Sequence, residues 1–251
     1  MTASSPNPST DLQGAVIAFD LDGTLVETAP DLIGALNVVL GQLGLPQMPI
    51  VSARTLVGQG ARKLIEKGFA AAGRPVDESE IGGLVVRFIE AYAARIASES
   101  HPYPGLIEAL DELQAAGAIL CVCTNKRSDL SLALLDALQL THRFAAIIGA
   151  DRAPKPKPDP SHVLAAISAA GGDPAFALMV GDSSNDVDSA KAAKVPVVAV
   201  TFGYTETPAR DLGADAVIDS FDELPAVARR LLSISAERLQ PRAPSAIVSA
   251  S

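Results

Sequence analysis

Short, uninterrupted apolar runs recur along the chain: AVIAF at 15–19, AILCVC at 118–123, FAAIIG at 144–149, FALMV at 176–180, VPVVAV at 195–200 and AVI at 216–218. Runs without polar alternation predict strands buried on both faces, as in a parallel sheet. Between the later runs the apolar spacing becomes helical. Leu106, Leu110 and Leu113 mark one face of GLIEALDELQAAG, which Gly117 stops. Ser128 predicts a cap for SDLSLALLDALQL, and Asp159-Pro160 opens a helix carrying Val163, Leu164 and Ile167. Alternating strands and helices predict an α/β fold: a parallel sheet with helices on both faces, joined by right-handed crossovers.

One interval breaks the alternation. Almost a hundred residues separate the first run from the second, and no strand pattern lies between them. Their apolar positions are helical: Leu32, Ile33, Leu36, Val39, Leu40 and Leu43, then Leu64, Ile65 and Phe69, then Leu84, Val85, Phe88, Ile89 and Ile96. A plain strand-to-helix connection is much shorter. The excess predicts a helical insert over residues 30–100, rooted after the first strand and overhanging its end as a lid. The core domain is then 12–29 with 101–235, and the Ser-, Pro- and Ala-rich ends, 1–11 and 236–251, read as mobile tails.

Composition narrows the function classes. A net charge of −9 and few aromatic residues give no field or stacking surface for nucleic acid. No apolar run approaches a membrane span, and MTASSPNPSTD lacks the charged and apolar parts of a secretory signal, so a cytoplasmic protein is expected. Cys121 and Cys123 share a strand face without nearby zinc-ligating partners, which predicts buried, reduced thiols.

The chemistry lies where the runs end. The first delivers Asp20 and Asp22 into a Gly23-Thr24 turn; the second, Thr124-Asn125; the third, Lys155-Pro156-Lys157-Pro158-Asp159-Pro160; the fourth, Gly181-Asp182-Ser183-Ser184-Asn185-Asp186. Each string alone is an ordinary turn or helix cap. Together they place acids, a hydroxyl, an amide and an ammonium along the edge where open α/β folds bind ligands. Neighbouring carboxylates repel and call for a cation or a retained proton. A hard divalent ion, a nucleophilic aspartate and a lysine ammonium are what a transferring phosphoryl group requires.

In these four motifs, over residues 13–225, the chain resembles the haloacid dehalogenase superfamily of phosphatases with a helical cap. That resemblance implies a Rossmann-like core and a Mg²⁺-dependent phosphomonoester hydrolase working through an aspartyl-phosphate. It implies Asp20 as nucleophile, Asp22 as acid/base, and Thr124 with Asn125 and Gly23 beside the phosphoryl group. Lys157, rather than Lys155, fits the lysine before Pro-x-Pro. Metal ligands would be Asp20, Asp182 and the carbonyl of Asp22, with Asp186 behind them. FDLDGTLVETAPDL, VGQGARKLI, CTNKR, KPKPDP and GDSSNDVDSAKAA are most similar to the bacterial phosphoglycolate phosphatases, although Glu27 stands where an aspartate is expected. The expected partner is a small phosphorylated metabolite, handled by a monomer or homodimer. For an anionic substrate the insert must supply positive charge or N–H groups, and Gly58 to Lys63, with Arg62 foremost, are the candidates.

Asp22 separates the reactions. Dehalogenases and phosphonatases of the superfamily lack an acid there, so its presence favours phosphate esters. Phosphosugar mutases share the core but usually carry Val where this chain has Thr24. A catalytically dead binding module would have lost Asp20, Asp22 or Lys157, and none is lost.

Overall fold

The computed structural model describes residues 11–50, 56–57, 60–205 and 207–239, with side chains to residue 233. The strands in chain order are β1 (Val16–Phe19), β2 (Val26–Glu27), β3 (His101–Pro102), β4 (Ile119–Thr124), β5 (Ala146–Gly149), β6 (Ala177–Gly181), β7 (Val197–Val200) and β8 (Ala216–Ile218). Among the described residues six form one parallel sheet in the order β5-β4-β1-β6-β7-β8. Each of these six coincides with an apolar run in the sequence. The helices are α1 (Ala29–Gln42), α2 (Ala61–Ala71), α3 (Glu78–Ala93), α4 (Leu106–Ala115), α5 (Ser128–Ala137), α6 (Pro160–Ala169), α7 (Ser184–Ala192) and α8 (Leu224–Leu239).

The central strand shows why its sequence is apolar throughout. Ile17 and Phe19 join Leu110 and Leu113 of α4, Leu134 of α5 and Leu224 of α8 in one cluster. Val16 and Ala18 face the other way, toward Val163 and Ile167 of α6 and Val187 of α7. Fully burying a side chain of this kind contributes roughly 1.5–3 kcal/mol, so a strand packed on both faces gains along its whole length. Cys121 and Cys123 are free and buried in the second cluster, and burial pushes the Cys123 thiol up to about 12. No helix among the described residues is long and apolar enough to cross a membrane.

The interval after β1 is helical, as its periodicity predicts, and has its own core: Ile33, Leu36 and Leu40 of α1 against Ile65 and Phe69 of α2 and Phe88 and Tyr92 of α3. Two short strands there escaped the sequence reading. β2 and β3 pair antiparallel, Val26 with Pro102 and Glu27 with His101, as the chain enters and leaves the insert. At two residues each, they are too short for any periodicity to show. Asp31 fastens this neck. Its buried carboxylate accepts from Arg95 Nε (3.1 Å), Glu99 N (2.9 Å), Ser100 N (2.8 Å) and Ser100 Oγ (2.7 Å). Burial would raise its pKa, but these donors outweigh burial and hold it below the usual carboxylate range.

Two boundaries differ from expectation. Arg127, not Ser128, occupies the cap position of α5; Ser128 Oγ instead accepts from Gly149 N (3.1 Å), and Ser128 N donates to Asp151 (2.7 Å). The expected tails are trimmed as well. Asp11 pairs with Arg229 at 2.9 Å, and α8 continues to Leu239, past the predicted boundary.

Candidate active site

The four motifs converge beyond the carboxyl ends of β1, β4 and β6 and the loop after β5. Asp20 follows β1 and stays in register with the sheet, its N–H donating to Val180 O at 2.9 Å. Lys157 reaches it from the loop, with Nζ 3.0 Å from Asp20 Oδ1. The same ammonium donates to Asp186 Oδ1 (2.5 Å) and to Cys123 O (2.7 Å), which leaves its side chain 1% exposed. Asn125 positions it: Nδ2 donates to Lys157 O (2.8 Å), and Lys157 N donates to Oδ1 (2.9 Å). Lys157 N also approaches His162 Nδ1 (3.3 Å), while Nε2 lies 3.0 Å from Ile148 O. Burial lowers the His162 pKa to about 4, so the ring stays neutral, with Nδ1 accepting and Nε2–H donating.

Asp182, after β6, accepts from Tyr204 N (2.7 Å) on Oδ2 and from Thr24 Oγ1 (3.3 Å) on Oδ1. Asp186 occupies the third position of α7 in a reciprocal cap with Ser183. Its Oδ2 accepts from Asp182 N (3.2 Å), Ser183 N (3.0 Å) and Ser183 Oγ (2.6 Å). Asp20, Asp182 and Asp186 each offer one oxygen, mutually within 4.8 Å. Desolvation, only partly offset by Lys157, raises the Asp20 carboxyl to about 6; burial beside Asp186 and Asp20 raises Asp182 well above its ordinary range. Buried Asp20 Oδ1 makes no hydrogen bond. Crowded oxygen donors that share one ammonium, with Asp20 Oδ1 ion-paired but not hydrogen-bonded to it, suit a hard cation. Asp186 spends one oxygen on the Lys157 ammonium and the other on three donors of its own turn, whereas Asp182 meets only one N–H and a longer hydroxyl contact, so Asp20 and Asp182 are the less committed carboxylates.

Bare backbone lets these acids sit so close. A Cβ on Gly203 would lie 2.2 Å from Asp182 Cβ, and one on Gly181 would lie 2.3 Å from Asp186 Cγ. Gly23, at φ +85°, would carry a Cβ 2.5 Å from Asp182 Oδ2.

Asp22 turns away from this cluster. Its two oxygens take Lys126 Nζ at 3.0 and 3.1 Å, and that ammonium lies 4.3 Å from the centre of the Tyr92 ring. Between core and insert is a cavity of about 120 Å³, lined by Asp20, Asp22, Thr124 and Lys126 below and by Leu64, Phe88 and Tyr92 above. A second, wider cleft of about 590 Å³ opens on the side of Lys63, Lys157 and Asp182. Thr124, 2% exposed, uses Oγ1 to accept from Lys126 N at 3.2 Å.

Some expected site residues are placed differently. Asn125 lines the cavity, and its amide brackets the backbone of Lys157. The N–H of Gly23 donates to Val26 O (3.0 Å), so this glycine provides close approach instead of a ligand donor. Arg62 points outward to Glu66 (2.8 Å) and Glu78 (2.5 Å), with its side chain half exposed; its i, i+4 spacing to Glu66 explains the pairing. Gly58 lies outside the described residues. The sequence alone points to no role for Lys126, Tyr92 or Tyr204. The Tyr204 hydroxyl donates to Glu27 Oε1 (2.7 Å) and accepts from Thr28 N (2.6 Å) and Ala29 N (2.9 Å), tying the root of α1 to the loop that holds Asp182.

The sequence model of the haloacid dehalogenase-like hydrolases matches residues 17–200. The chain is 57% identical over 223 residues to a phosphoglycolate phosphatase of Caulobacter vibrioides, covering 89% of this chain and 94% of that one. It is 48% identical over 209 residues to a phosphoglycolate phosphatase of Mesorhizobium japonicum, covering 83% and 92% of the two chains. Among solved structures, that of a predicted phosphoglycolate phosphatase from Haemophilus somnus superposes with a TM-score of 0.78 at 31% identity, over 86% of this chain and 98% of the other. With sheet order, acid cluster and sequence in agreement, the chain belongs to the haloacid dehalogenase-like hydrolases.

Proposed function

We propose that this protein hydrolyses 2-phosphoglycolate to glycolate and inorganic phosphate, with Asp20 as nucleophile and Mg²⁺ as the metal. The observation that carries the phosphatase reading is the meeting of Asp20, Asp182 and Lys157 at one edge of the sheet, with Asp22 beside Asp20 in the adjoining cavity. The substrate reading rests on relatives at 57% and 48% identity that carry that name.

Lys157 holds the Asp20 carboxylate ionised and aimed, restrained in turn by Asp186 and Asn125. An Asp20 oxygen attacks phosphorus; the new O–P bond forms as the bond to the glycolate oxygen breaks, and Asp22 gives that oxygen a proton. Asp22 then takes a proton from water, whose oxygen attacks the aspartyl-phosphate; phosphate leaves and Asp20 is restored. Thr124 Oγ1–H and Lys157 face the transferring group. Asp20, Asp182 and the Asp22 carbonyl would hold the Mg²⁺, which when bound neutralises charge on the phosphoryl oxygens. The helical insert acts as a lid that keeps bulk water from the cavity.

Phosphate release is to be measured over 2-phosphoglycolate, sugar phosphates, nucleotides and pyrophosphate, with a check for glucose 1-phosphate to 6-phosphate conversion. Highest kcat/KM on 2-phosphoglycolate, abolished by EDTA and by Asp20→Asn, is the expected result. Isomerisation without net phosphate release would replace hydrolase by mutase.

A further inference from the structure

Lys126 is a buried cation that the chemistry above leaves without work. Long ammonium side chains ordinarily extend to solvent, yet that of Lys126 is only 5% exposed. It is held between Asp22 of the core, at 3.0 and 3.1 Å, and the Tyr92 ring of the insert, at 4.3 Å. Both neighbours line the small cavity beside Asp20. The remaining walls from the insert are apolar, with Leu64, Phe88 and Ile89 among them. Arg127 also borders the cavity, but its guanidinium is engaged by Asp129 at 2.8 Å and is more than half exposed. The Tyr92 hydroxyl is a second signal. It is buried in a residue 1% exposed, and apart from the Lys126 ammonium beside its oxygen it has no partner among the described residues, so its O–H donor is without an acceptor. An unsatisfied buried donor is costly, so its place in a ligand cavity points to an acceptor that arrives with the ligand.

We infer that Lys126, with the Tyr92 hydroxyl, is the seat for the substrate's distal carboxylate and sets the preference for phosphates that carry one. This assignment rests on the phosphatase reading above and deepens it. An ammonium has three N–H donors, so Lys126 can keep one oxygen of Asp22 while giving another N–H to the incoming carboxylate. The incoming charge also meets the aromatic hydroxyl, which has an open donor. Positive charge for substrate recognition therefore comes from the core strand edge, one residue beyond Asn125, and not from Arg62 of the insert. Phosphate esters without an anion at that distance leave the ammonium to Asp22 and gain nothing from it.

The test compares substrates that differ only in the carboxylate: 2-phosphoglycolate against ethyl phosphate, and 2-phospholactate against isopropyl phosphate. Lys126→Met should lower kcat/KM for the carboxylate-bearing member by about 10- to 100-fold more than for its neutral partner, chiefly through KM. Lys126→Arg should recover part of that preference. Tyr92→Phe keeps the ring, and so stays informative if Lys126→Met fails to fold; it should narrow the preference about 3- to 10-fold. Equal losses on both members of a pair would overturn the inference and leave Lys126 as a residue that only places Asp22. A wild-type enzyme indifferent to the carboxylate on both pairs would overturn it too. If the wild type ignores 2-phosphoglycolate but turns over 2-phospholactate, the substrate reading fails, and Lys126 is judged on the second pair by the same criterion.

Discussion

Replacing Lys157 by methionine keeps the length of the side chain and removes its charge, and the structure sets the size of the effect. The ammonium lies 3.0 Å from Asp20 and 2.5 Å from Asp186, at side-chain exposures of 1%, 13% and 0% for Lys157, Asp20 and Asp186. At an effective dielectric near 20, attraction across about 3 Å amounts to about 5 kcal/mol per pair before the cost of desolvating the ions. Net of desolvation, breaking a buried pair from one side costs about 3–5 kcal/mol, because the other charge stays buried. For a chain of this size that corresponds to a fall in Tm of roughly 6–20 °C. Thermal unfolding in EDTA should show that fall. Excess Mg²⁺ should return part of it, with more protection of the variant than of the wild type, because a divalent ion restores positive charge to the same cluster. Turnover should drop by about 100- to 1,000-fold, the size expected when one preorganised electrostatic contact to the transition state is lost. A Tm within 2 °C of wild type in EDTA, together with more than a tenth of wild-type turnover, would refute the idea that Lys157 neutralises this cluster.

Three further outcomes follow from the geometry. With its carboxyl raised to about 6 in the native state against roughly 4 in the unfolded chain, Asp20 holds more protons folded than unfolded. Its contribution therefore turns unfavourable as pH rises from about 4 to 6, by about 3 kcal/mol. Urea unfolding in EDTA should show wild type losing stability relative to Asp20→Asn across that window, and saturating Mg²⁺ should flatten the difference. Tyr204→Phe strips the hydroxyl acceptor from Thr28 N, one of two acceptors from Ala29 N and one of two hydroxyl donors from Glu27; a loss of about 1–3 kcal/mol is expected in chemical denaturation, and an unchanged midpoint would count against the tie. Gly203→Ala would place a methyl 2.2 Å from Asp182 Cβ, so the Mg²⁺ concentration for half-maximal activity should rise at least tenfold. An unaltered Mg²⁺ dependence would remove Asp182 from the metal site.

The core sheet was readable because burial on both faces leaves an unbroken apolar run, as Val16 to Phe19 shows. Helices of the insert were readable for the complementary reason, a one-sided stripe such as Ile33, Leu36 and Leu40. Pairings between distant residues left no local trace. Tyr204 meets Glu27 across 177 positions, and neither residue's neighbourhood announces the other. Lys126 was visible as a letter in CTNKR, but only the fold turns it inward toward Asp22 while sending Arg127 out to Asp129. Arg62 turns outward for a reason the sequence did contain, an acid one helical turn away. Asn125 follows β4 to the cavity, but its contacts with the backbone of Lys157 could not be read locally, since they depend on a loop more than thirty residues distant.

The two-strand neck has a consequence for how such enzymes diversify. Glu27 and His101 face each other across the ribbon, so the chain enters and leaves the insert at one hydrogen-bonded junction. A foreign helical unit spliced between those two positions would redraw the ceiling of the cavity while Asp20, Asp22, Lys157 and Lys126 stayed in place below it. Such a chimera should inherit the bulk tolerance of its donor and keep the share of its host's appetite for acids that Lys126 supplies, while losing the share owed to Tyr92.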